Sequence, residues 1–500
     1  MNERRLIFAI AAVVGMASLG SEIAGARLMA PWFGASTIVW ANTIATVLVA
    51  LSVGYWFGGR LADRDPTLRG LSKVVLLGSV LLAAVPFVAG PFLRVSVQAL
   101  DSVQAGAFVG SLVAVLVLLA VPVLVLGTVA PYAVRLCVRT VGEAGEVAGR
   151  LYAVSTIGSL TGVFLSALLL IPVVGTRRTF LAFALALAVV ALPGLARVAV
   201  AVPAAIAVLI VIPVGTIKPA QGATVIWERE TDYQYARAIQ YPDGERILEL
   251  NEGQAVHSTY TPGRWLTGNY WDEALVLPFA TRPAQPASLS VLGTAAGTVA
   301  RSYARYFPQT RVDGVEIDGE LTEIGREKFG LAGPNLHLHT ADARPFLRAS
   351  GRRWDAILID AYRQPYIPFY LVTGEFFELA RDRLNPGGVV MVNVGHPEGN
   401  DDLEKTLSAT MGTVFGTVLR DPSQQVNTVL LASEAPASGA RLRGAVAAGA
   451  VPRPLRETAL KAASRLTPAL PGGEVYSDDR APVEWLIDES ILSVAAEGNR

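Results

Sequence analysis

Residues 288–316 read SLSVLGTAAGTVARSYARYFPQTRVDGVE: an apolar strand pattern, a turn with two glycines, a helical pattern and a second strand pattern. The rhythm continues with "RVDGVEI" and "GELTEIGREKFG", "LHLHTAD" and "ARPFLRA", "WDAILIDAY" and "EFFELARDRL", and ends at "GGVVMVNV". Short apolar strands that alternate with helical patterns predict a doubly wound, mainly parallel sheet. Its ligand crevice is expected beyond the carboxyl ends of the strands.

Residues suited to ligand binding stand at four successive strand ends. Gly293 and Gly297 bracket the turn GTAAG after the first strand, where small residues let a helix N-terminus approach a ligand. Glu316 ends the second strand, at a position where a carboxylate can accept hydrogen bonds from ribose hydroxyls. Asp342 and Asp360 end the third and fourth strands. One such carboxylate is more often a helix cap or turn former, but four positions together indicate a nucleotide site.

The segment before this repeat has the pattern of a small antiparallel sheet. Two alternating runs, "TVIWERETDYQYARAIQY" and "RILELNEGQAVH", flank the turn PDGE, and Asp243-Gly244 is a strong hairpin signal. The sequence therefore predicts a β-domain over residues 217–285, followed by a Rossmann-like nucleotide-binding domain with a C-terminal tail over residues 286–500. The turn GTAAG is not G-x-G-x-x-G, which argues against an ordinary dinucleotide site.

The composition of the first 216 residues differs from that of the remainder. The whole chain is 52% hydrophobic and 17% charged, with 42 basic and 42 acidic residues. Residues 1–216 hold 14 of the basic and 7 of the acidic residues, which leaves 28 and 35 for the rest. This shift marks a domain boundary, and the zero net charge argues against a nucleic-acid binder built on global basicity. The single cysteine, Cys137, excludes a disulfide framework or a multi-cysteine metal site.

The first 216 residues are predicted to be an all-α, multi-span membrane bundle in the lipid bilayer of the cell membrane. Seven apolar runs approach the roughly 20 residues that a spanning helix needs. They lie near residues 6–30, 37–58, 71–89, 107–134, 147–174, 179–196 and 198–216. The first lacks the cleavage signal of a secretory leader. Glycine and alanine in the fifth run are expected to permit close helix packing.

Two ionisable residues in the first run are candidate functional residues of the membrane half. Glu22 is the acidic residue in the interior of a proposed span, and Arg27 follows five residues later. An ionisable group at membrane depth is a functional hypothesis by default. The alternative is that Glu22 and Arg27 pair with each other or with main-chain groups, and that Arg27 reaches the interface.

The second half resembles the spermidine synthase (polyamine aminopropyltransferase) family. The resemblance rests on "ETDYQYARAIQY", "RILELNEGQ", "VLGTAAGTVARSY", "VDGVEIDGELTEIGREKFG", "LHLHTADARPFL", "WDAILIDAY" and "EFFELARDRLNPGGVVMVNV", over about residues 224–394. The first half, with "GSEIAGARLMAPWFGAS" and "GYWFGGRLADRDP", and the tail "SDDRAPVEWL" resemble membrane-fused, transporter-like members. The resemblance implies a small β-domain followed by a methyltransferase-type Rossmann domain.

The resemblance also implies a nucleotide ligand, decarboxylated S-adenosylmethionine, and ordinary S-adenosylmethionine is kept as an alternative. No metal is predicted, because the spacing of the four histidines does not match a metal site. Asp360 is expected to be the catalytic acid/base or the residue that orients the attacking amine. The residues expected to bind the nucleotide are Gln234, Gly293, Gly297, Glu316, Asp342 and Ala343. The expected acceptor is a small-molecule amine or polyamine, and a homodimer is left open as an assembly.

The chain departs from the family pattern at two acidic positions. The family's glycine loop places an acidic residue where this chain has Ala296. The family's D-x-x-D element reads DAYR in this chain, so Arg363 replaces the second aspartate. The family's Tyr-His-Glu element reads NYWDE, residues 269–273. Replacement carboxylates and aromatic contacts are hypothesised at Tyr362, Asp478, Asp479, Glu484 and Glu252. Alternatively, Asp478 caps a last helix that begins near residues 481–482, and the aromatic residues of the Tyr362 loop serve packing.

Charge bias and cofactor use give conflicting orientations for the soluble half. With the N-terminus inside, ten basic residues of the membrane half fall on the inner side, against Arg27, Arg94, Arg177 and Arg178 outside. Seven spans would then place the soluble half outside, whereas a cytosolic nucleotide favours the cytoplasm. Six spans plus a re-entrant piece would reconcile the two, because the last two runs are short and contain or adjoin prolines. The expectation is cytoplasmic, with the side left open.

Three functions follow from these observations. The leading hypothesis is a membrane-bound, spermidine synthase-like transferase that moves an aminopropyl group from decarboxylated S-adenosylmethionine to an amine in polyamine biosynthesis. The second is a non-catalytic polyamine transporter or sensor whose Rossmann domain binds a ligand. The third is an S-adenosylmethionine-dependent methyltransferase that acts on a membrane-associated acceptor.

Overall fold

The structure is a computed structural model of the 500-residue chain. It describes residues 3–34, 37–103, 107–213, 215–251, 253, 255–362, 366–487 and 489–490. Two compact units are present. The first comprises Met1–Pro219 with Glu230–Tyr235, and the second comprises Ala220–Arg229 with Ala236–Arg500.

The first unit is built from apolar helices. They are α1 (Glu3–Phe33), α2 (Thr37–Arg64), α3 (Leu68–Val103), α4 (Ala107–Val115), α5 (Val121–Gly127), α6 (Val129–Cys137), α7 (Ala144–Leu165), α8 (Ile171–Val174), α9 (Thr176–Ala191) and α10 (Ala201–Val211). A π-helical turn, Leu116–Ala120, joins α4 to α5, and another, Ser166–Leu170, joins α7 to α8.

Six helices in the described part of the chain are long and apolar enough to cross a membrane. They are Glu3–Phe33, Val39–Arg64, Leu68–Ser96, Val109–Cys137, Val141–Val174 and Thr176–Gly194. This is one fewer than the seven apolar runs of the sequence, so the count of seven spans stays a prediction. The last apolar run forms the short helix Arg197–Val211, and its 15 residues reach roughly 20 Å against a hydrocarbon core of about 30 Å.

Small residues let α1 and α7 pack backbone to backbone, as the glycines of the fifth run predict. A Cβ atom added at Gly158 would lie 2.1 Å from the main-chain oxygen of Ala12, and one at Gly162 would lie 2.1 Å from that of Met16. Ser166 Oγ donates to the Gly20 carbonyl at 2.8 Å. The prediction of close packing is confirmed, and van der Waals contact of this kind drives helix association in lipid.

Most of a four-stranded sheet, in the order β1-β2-β3-β4, belongs to the second unit, and β2 pairs antiparallel with β3, as β3 does with β4. Its strands are β1 (Thr224–Glu230), β2 (Tyr235–Gln240), β3 (Arg246–Leu250) and β4 (Val256–Tyr260). The predicted hairpin at Asp243-Gly244 is present, because Gln240 pairs with Arg246 and Gly244 has a φ of +89°.

The remainder of the second unit contains an eight-stranded sheet in the order β12-β10-β11-β9-β8-β5-β6-β7. The strands are β5 (Ser288–Leu292), β6 (Arg311–Glu316), β7 (Leu336–Thr340), β8 (Trp354–Ile359), β9 (Leu384–Gly395), β10 (Thr417–Gln424), β11 (Asn427–Ser433) and β12 (Thr467–Pro468). The helices are α11 (Thr298–Tyr306), α12 (Gly319–Lys328), α13 (Ala343–Ala349), α14 (Gly374–Asp382), α15 (Asp402–Gly412), α16 (Gly439–Ala447) and α17 (Arg456–Arg465).

Strands β5 to β9 run parallel, as the sequence predicts. Strands β10, β11 and β12 extend the sheet with antiparallel pairings and lie beyond the last strand that the sequence analysis recognised. Apolar clusters cover both faces of the sheet. β8 is buried along its whole length. The loops leave the parallel strands at their carboxyl ends, so the order of the strands on either side of β5 fixes where these loops emerge.

The α1–α7 contact gives a direct test of backbone packing in the helical unit. We expect Gly162→Ala to destabilise the protein by about 1–3 kcal/mol, the usual range for overpacking. Gly149→Ala is the matched control, because Gly149 lies in the same helix and a Cβ there meets nothing within 4 Å. The measurement is the thermal midpoint of the full chain in detergent, and equal midpoints for the two variants would contradict the packing assignment.

Candidate active site

The site lies where the strand order reverses, between β5 and β8. Strands β6 and β7 lie on one side of β5, and β8 and β9 lie on the other, so the loops after β5 and β8 diverge and leave a crevice. Gly293 follows β5 with a φ of +90°, and a Cβ on it would lie 2.4 Å from the Asp360 carbonyl oxygen. Asp360 N donates to Leu292 O at 2.8 Å. The loop after β5 therefore touches the main chain that carries Asp360.

The turn GTAAG curls over the end of β5 and leads into α11. Ala295 adopts a left-handed φ of +46° and Gly297 a φ of +94°. Ala296 is 1% exposed and packs in an apolar cluster with residues of β2, β3 and α12. Ala296, where the resemblance implies an acidic residue in the family, thus lies in an apolar core, where a charge would be expensive to bury.

Asp360 is held by three uncharged donors. Asn393 Nδ2 donates to Oδ1 at 2.8 Å, and the Tyr270 hydroxyl lies 3.2 Å from Oδ2. The Trp271 side chain is a third hydrogen-bond donor. Asn393 is oriented in turn, because its Oδ1 accepts from Asn427 Nδ2 at 2.9 Å. The position of the carboxylate is therefore fixed without an ion pair among these partners.

Desolvation makes Asp360 a carboxyl group that titrates near neutrality. Burial raises its pKa to about 7, although the hydrogen bonds from Asn393, Tyr270 and Trp271 act in the opposite direction. Burial and the nearby Asp360 carboxylate raise the pKa of Tyr270 well above its usual range. Tyr270 therefore keeps its proton and remains a donor. A carboxyl group with a pKa near the working pH suits proton transfer or the binding of a cation.

A small cavity connects Asp360 to the glycine turn. Its lining residues are His257, Tyr270, Trp271, Val291, Gly293, Thr294, Ala295, Thr298, Val299 and Asp360. Asp360 is the one carboxylate among these described lining residues. The rings of Tyr270 and Trp271 lie 4.7 Å apart and offer aromatic faces to a cation. The described residues contain no group of three potential metal ligands.

Glu316 lies at the end of β6 and is bonded to the glycine turn. Its Oε2 accepts from Ala295 N at 2.7 Å, and its Oε1 accepts from Asp318 N at 3.1 Å. Burial raises the pKa of Glu316 to about 7 against the effect of these donors. The structure thus brings together Glu316, Gly293 and Asp360 around one turn, as expected for adjacent strand ends.

Asp342 caps helix α13 and contacts the loop that follows β8. Its Oδ1 accepts from Arg344 N at 3.0 Å, and its Oδ2 accepts from the Tyr370 hydroxyl at 2.7 Å. Ala343, next to it, is 8% exposed. A role for Asp342 and Ala343 at the nucleotide base remains a prediction, and Tyr370 is a partner that the sequence did not reveal.

The tail candidates are not among the described residues that line the Asp360 cavity. Asp478 pairs with Arg344 at 2.6 Å, and the last helix begins at Val483, so the interpretation of Asp478 as its cap is wrong. Asp479 is exposed, and Glu484 is partly buried on that helix. Tyr362 accepts from Gly395 N at 2.7 Å and donates to Asn393 O at 3.0 Å, which ties the start of its loop to β9.

The remaining candidates lie in the first unit or outside the described residues. Gln234 is buried within Glu230–Tyr235, and its carbonyl accepts from Thr231 N at 2.8 Å. Arg27 donates to the carbonyl oxygens of Thr231, at 3.1 Å, and Asp232. Glu22 is partly buried in α1. Glu252 and Arg363 lie outside the described residues.

Two partners of Asp360 were not predicted from the sequence. Tyr270 belongs to the NYWDE segment, and only the fold brings it to within 3.2 Å of Asp360. Asn393 lies near the end of β9 in an apolar run, VVMVNV. A polar residue in a strand that is otherwise buried is the signal that could have found Asn393, because a buried amide needs partners.

Comparison with known proteins identifies the family. A family model described as the Spermine/spermidine synthase domain matches residues 275–424. A probable polyamine aminopropyl transferase of Bifidobacterium longum (strain NCC 2705) is 32% identical over 291 residues, 54% of this chain and 64% of that relative. The polyamine aminopropyltransferase of Synechococcus sp. (strain JA-3-3Ab) is 32% identical over 226 residues, 38% of this chain and 70% of the relative. The chain belongs to the spermidine synthase (polyamine aminopropyltransferase) family.

The family match covers Asp360 and strands β5 to β10 of the eight-stranded sheet. The chain spans 64% of the length of the Bifidobacterium relative, and 50% of that of the polyamine aminopropyltransferase of Vibrio vulnificus (strain CMCP6), which is 31% identical. A solved structure of a probable spermidine synthase from Corynebacterium glutamicum ATCC 13032 is 22% identical, with a TM-score of 0.40 over 52% of this chain and 100% of that chain. The six apolar helices precede the residues that the family model matches.

The close approach of Gly293 to the main chain of Asp360 predicts that this spermidine synthase family member does not tolerate alanine at position 293. Gly293→Ala combines a positive φ with a Cβ 2.4 Å from Asp360 O. The matched control is Gly387→Ala, because Gly387 has a φ of +75° and nothing within 4 Å. We expect the Gly293 variant to lose about 1–3 kcal/mol more than the control, the range for an overpacked site. Equal thermal midpoints for the two variants would show that the close approach is not constraining.

Proposed function

We propose that this protein is a membrane-embedded aminopropyltransferase that uses decarboxylated S-adenosylmethionine as donor and an amine, such as a polyamine, as acceptor. The observation that carries the proposal is the position of Asp360. In a member of the spermidine synthase family, it lies at the switch point of the sheet and faces the glycine turn among aromatic and neutral donors. The named relatives support the same reaction class.

The strand ends supply groups for the donor. In the proposed complex, Glu316 accepts hydrogen bonds from the ribose, Asp342 and Ala343 meet the adenine, and Gly293 and Gly297 line the turn. The sulfonium end then lies toward Asp360 and the aromatic pair. Glu316 fits this role because its two oxygens are already fixed by main-chain donors and retain lone pairs for hydroxyl donors. A contact of Gln234 with decarboxylated S-adenosylmethionine remains a proposal.

The proposed reaction is a nucleophilic displacement. The acceptor nitrogen forms a bond to the aminopropyl carbon next to sulfur, the carbon–sulfur bond breaks, and sulfur keeps the electron pair as a neutral thioether. The nitrogen then loses a proton. Asp360, as a carboxylate, orients the amine and receives that proton, while Tyr270 remains protonated and holds Asp360 in place. Positioning the amine in line with the sulfonium provides the remaining rate enhancement.

The helices support a membrane location for the transferase. The six candidate spans of the described residues are an even number, so with these spans alone the chain would leave the bilayer on the side of its N-terminus. The excess of arginine and lysine in the inner segments favours the cytoplasmic side. We therefore propose a multi-pass protein of the cell membrane with its transferase unit in the cytoplasm, where nucleotide and polyamine are available.

Product analysis tests the reaction class. The full chain in detergent is incubated with putrescine, spermidine or cadaverine and either decarboxylated or ordinary S-adenosylmethionine. An aminopropylated amine, formed with the decarboxylated nucleotide and lost in Asp360→Asn, supports the proposal. A methylated product that requires the ordinary nucleotide would replace it with methyl transfer. Absence of any product, together with absence of nucleotide binding by calorimetry, would overturn it in favour of a non-catalytic role.

The raised pKa of Asp360 predicts a pH dependence of the transfer rate. Because burial raises this pKa to about 7, Asp360 is neutral below that pH and charged above it. The ratio of the wild-type kcat to that of Asp360→Asn should rise with pH through about 7 and then level off, and reach about 10²–10⁴, the usual range for a proton-transfer residue. The ratio cancels the titration of the acceptor amine itself.

A second carboxyl group requires a control, because burial also raises the pKa of Glu316 to about 7. Glu316→Gln should raise the KM for the nucleotide and leave the pH dependence of kcat intact.

The free energy of unfolding also depends on the protonation of Asp360. Folded Asp360 binds a proton more tightly than the unfolded chain does, so its contribution to the free energy of unfolding falls as pH rises from about 4 to about 7. Asp360→Asn should remove that fall, and a pH-independent kcat ratio would refute the role of Asp360.

A further inference from the structure

The C-terminal tail docks on the loop that follows β8. Gly374 N donates to Tyr476 O at 2.9 Å, and Asp478 N donates to Glu375 Oε2 at 3.0 Å. The Thr373 hydroxyl, which caps α14, donates to Asp478 Oδ1 at 2.7 Å. Residues 476–478 are thus joined by three hydrogen bonds to the start of α14.

Arg344 connects this tail to the nucleotide end of the site. Its Nη1 and Nη2 donate to the two oxygens of Asp478 at 2.7 Å and 2.6 Å, a bidentate pair. Nη1 also donates to Tyr370 O at 3.1 Å. The Arg344 side chain is 13% exposed, so its charge is largely shielded from water. The hydrogen bond from Arg344 lowers the pKa of Asp478, which therefore stays ionised at neutral pH.

Tyr370 carries the connection to Asp342. Its carbonyl is held by Arg344, and its hydroxyl donates to Asp342 Oδ2 at 2.7 Å. Asp342 Oδ1 is fixed separately by Arg344 N. Oδ2 of Asp342 is therefore bonded to Tyr370, whose carbonyl is held by the same guanidinium that pairs with Asp478. The chain of contacts is Asp478, Arg344, Tyr370 and Asp342.

We propose that Asp478 is a positioning residue for the nucleotide: through Arg344 and Tyr370 it fixes the orientation of the Asp342 carboxylate, and so makes the C-terminal tail part of the nucleotide site. The inference rests on the proposed function, in which Asp342 meets the adenine. It replaces the hypothesis that Asp478 binds the amine, because the Asp478 carboxylate is neutralised by a bidentate arginine. A charge-assisted pair of this geometry is stronger than a neutral hydrogen bond and restricts orientation.

The test separates nucleotide affinity from turnover in the full chain in detergent. Asp478→Asn should raise the KM and the calorimetric Kd for decarboxylated S-adenosylmethionine by roughly tenfold or more, as expected when a hydrogen bond to a charged group is lost. The kcat at saturating nucleotide and the KM for the amine should stay within about twofold, since Asp478 acts by positioning a binding group rather than in the chemical step. Asp478→Glu should restore part of the nucleotide affinity.

A matched control lies in the same tail. Arg480 and Glu474 form a pair at 3.3 Å whose side chains are 73% and 58% exposed, so Glu474→Gln should leave the nucleotide KM unchanged. Tyr370→Phe removes one hydroxyl at the other end of the chain of contacts and covers the case in which Asp478→Asn fails to fold. It should also raise the nucleotide KM, and the double variant should be less than additive.

The outcomes distinguish failure of the inference from failure of the proposed function. A wild-type protein that neither binds nucleotide nor forms product overturns both. A wild-type protein that binds nucleotide, with Asp478→Asn and Tyr370→Phe equal to it in nucleotide KM and Kd, overturns the positioning role alone. A rise in the KM of the amine without a change in that of the nucleotide also overturns it, and returns Asp478 to the acceptor site.

Discussion

The site depends on one close approach, between Gly293 and the main chain of Asp360. Asp360 N continues the ladder between β5 and β8 by donating to Leu292 O at 2.8 Å, and a glycine at 293 leaves room for the chain to turn away at once. A Cβ at this position would separate the two strand ends. Because Glu316 is bonded to the same turn through Ala295 N, the geometry of β5, β6 and β8 converges on this point.

Two aspartates of the same unit show how partners determine what a carboxylate can do. Asp360 is held by an amide, a phenol and an indole, all neutral, and burial raises its pKa to about 7. Asp478 is held by a guanidinium, which lowers its pKa. The charge of Asp478 is therefore satisfied within the protein, whereas that of Asp360 is left for a cationic ligand or a proton. Sequence position alone does not separate these two cases.

Periodicity and turn chemistry were enough to predict much of the fold, but not the contacts between distant segments. The five parallel strands, the Asp243-Gly244 hairpin and the close-packed glycines of α7 follow from local pattern. The seventh apolar run forms the short helix Arg197–Val211, and hydropathy does not show where a proline-containing run ends as a helix. Tyr270 reaches Asp360 across 90 positions of chain, and no local pattern encodes that distance. Strands β10 to β12 were missed because they lie beyond the alternation of strand and helix.

The departure at Ala296 becomes understandable from its surroundings. Its methyl group packs with the small sheet and α12, so a carboxylate there would be buried among apolar side chains rather than directed at the cavity. The acidic surplus of residues 217–500 is accordingly not concentrated where a cationic ligand would bind: among the described lining residues, Asp360 is the one carboxylate. In the proposed complex the aromatic faces of Tyr270 and Trp271 add to the attraction for a cation, and each such contact is worth about 0.5–2 kcal/mol. Because aromatic faces attract a cation without accepting its proton, the proton of an amine in the proposed complex would pass to a polar group of the cavity wall, where Asp360 is the one carboxylate and His257 is the imidazole among the described lining residues.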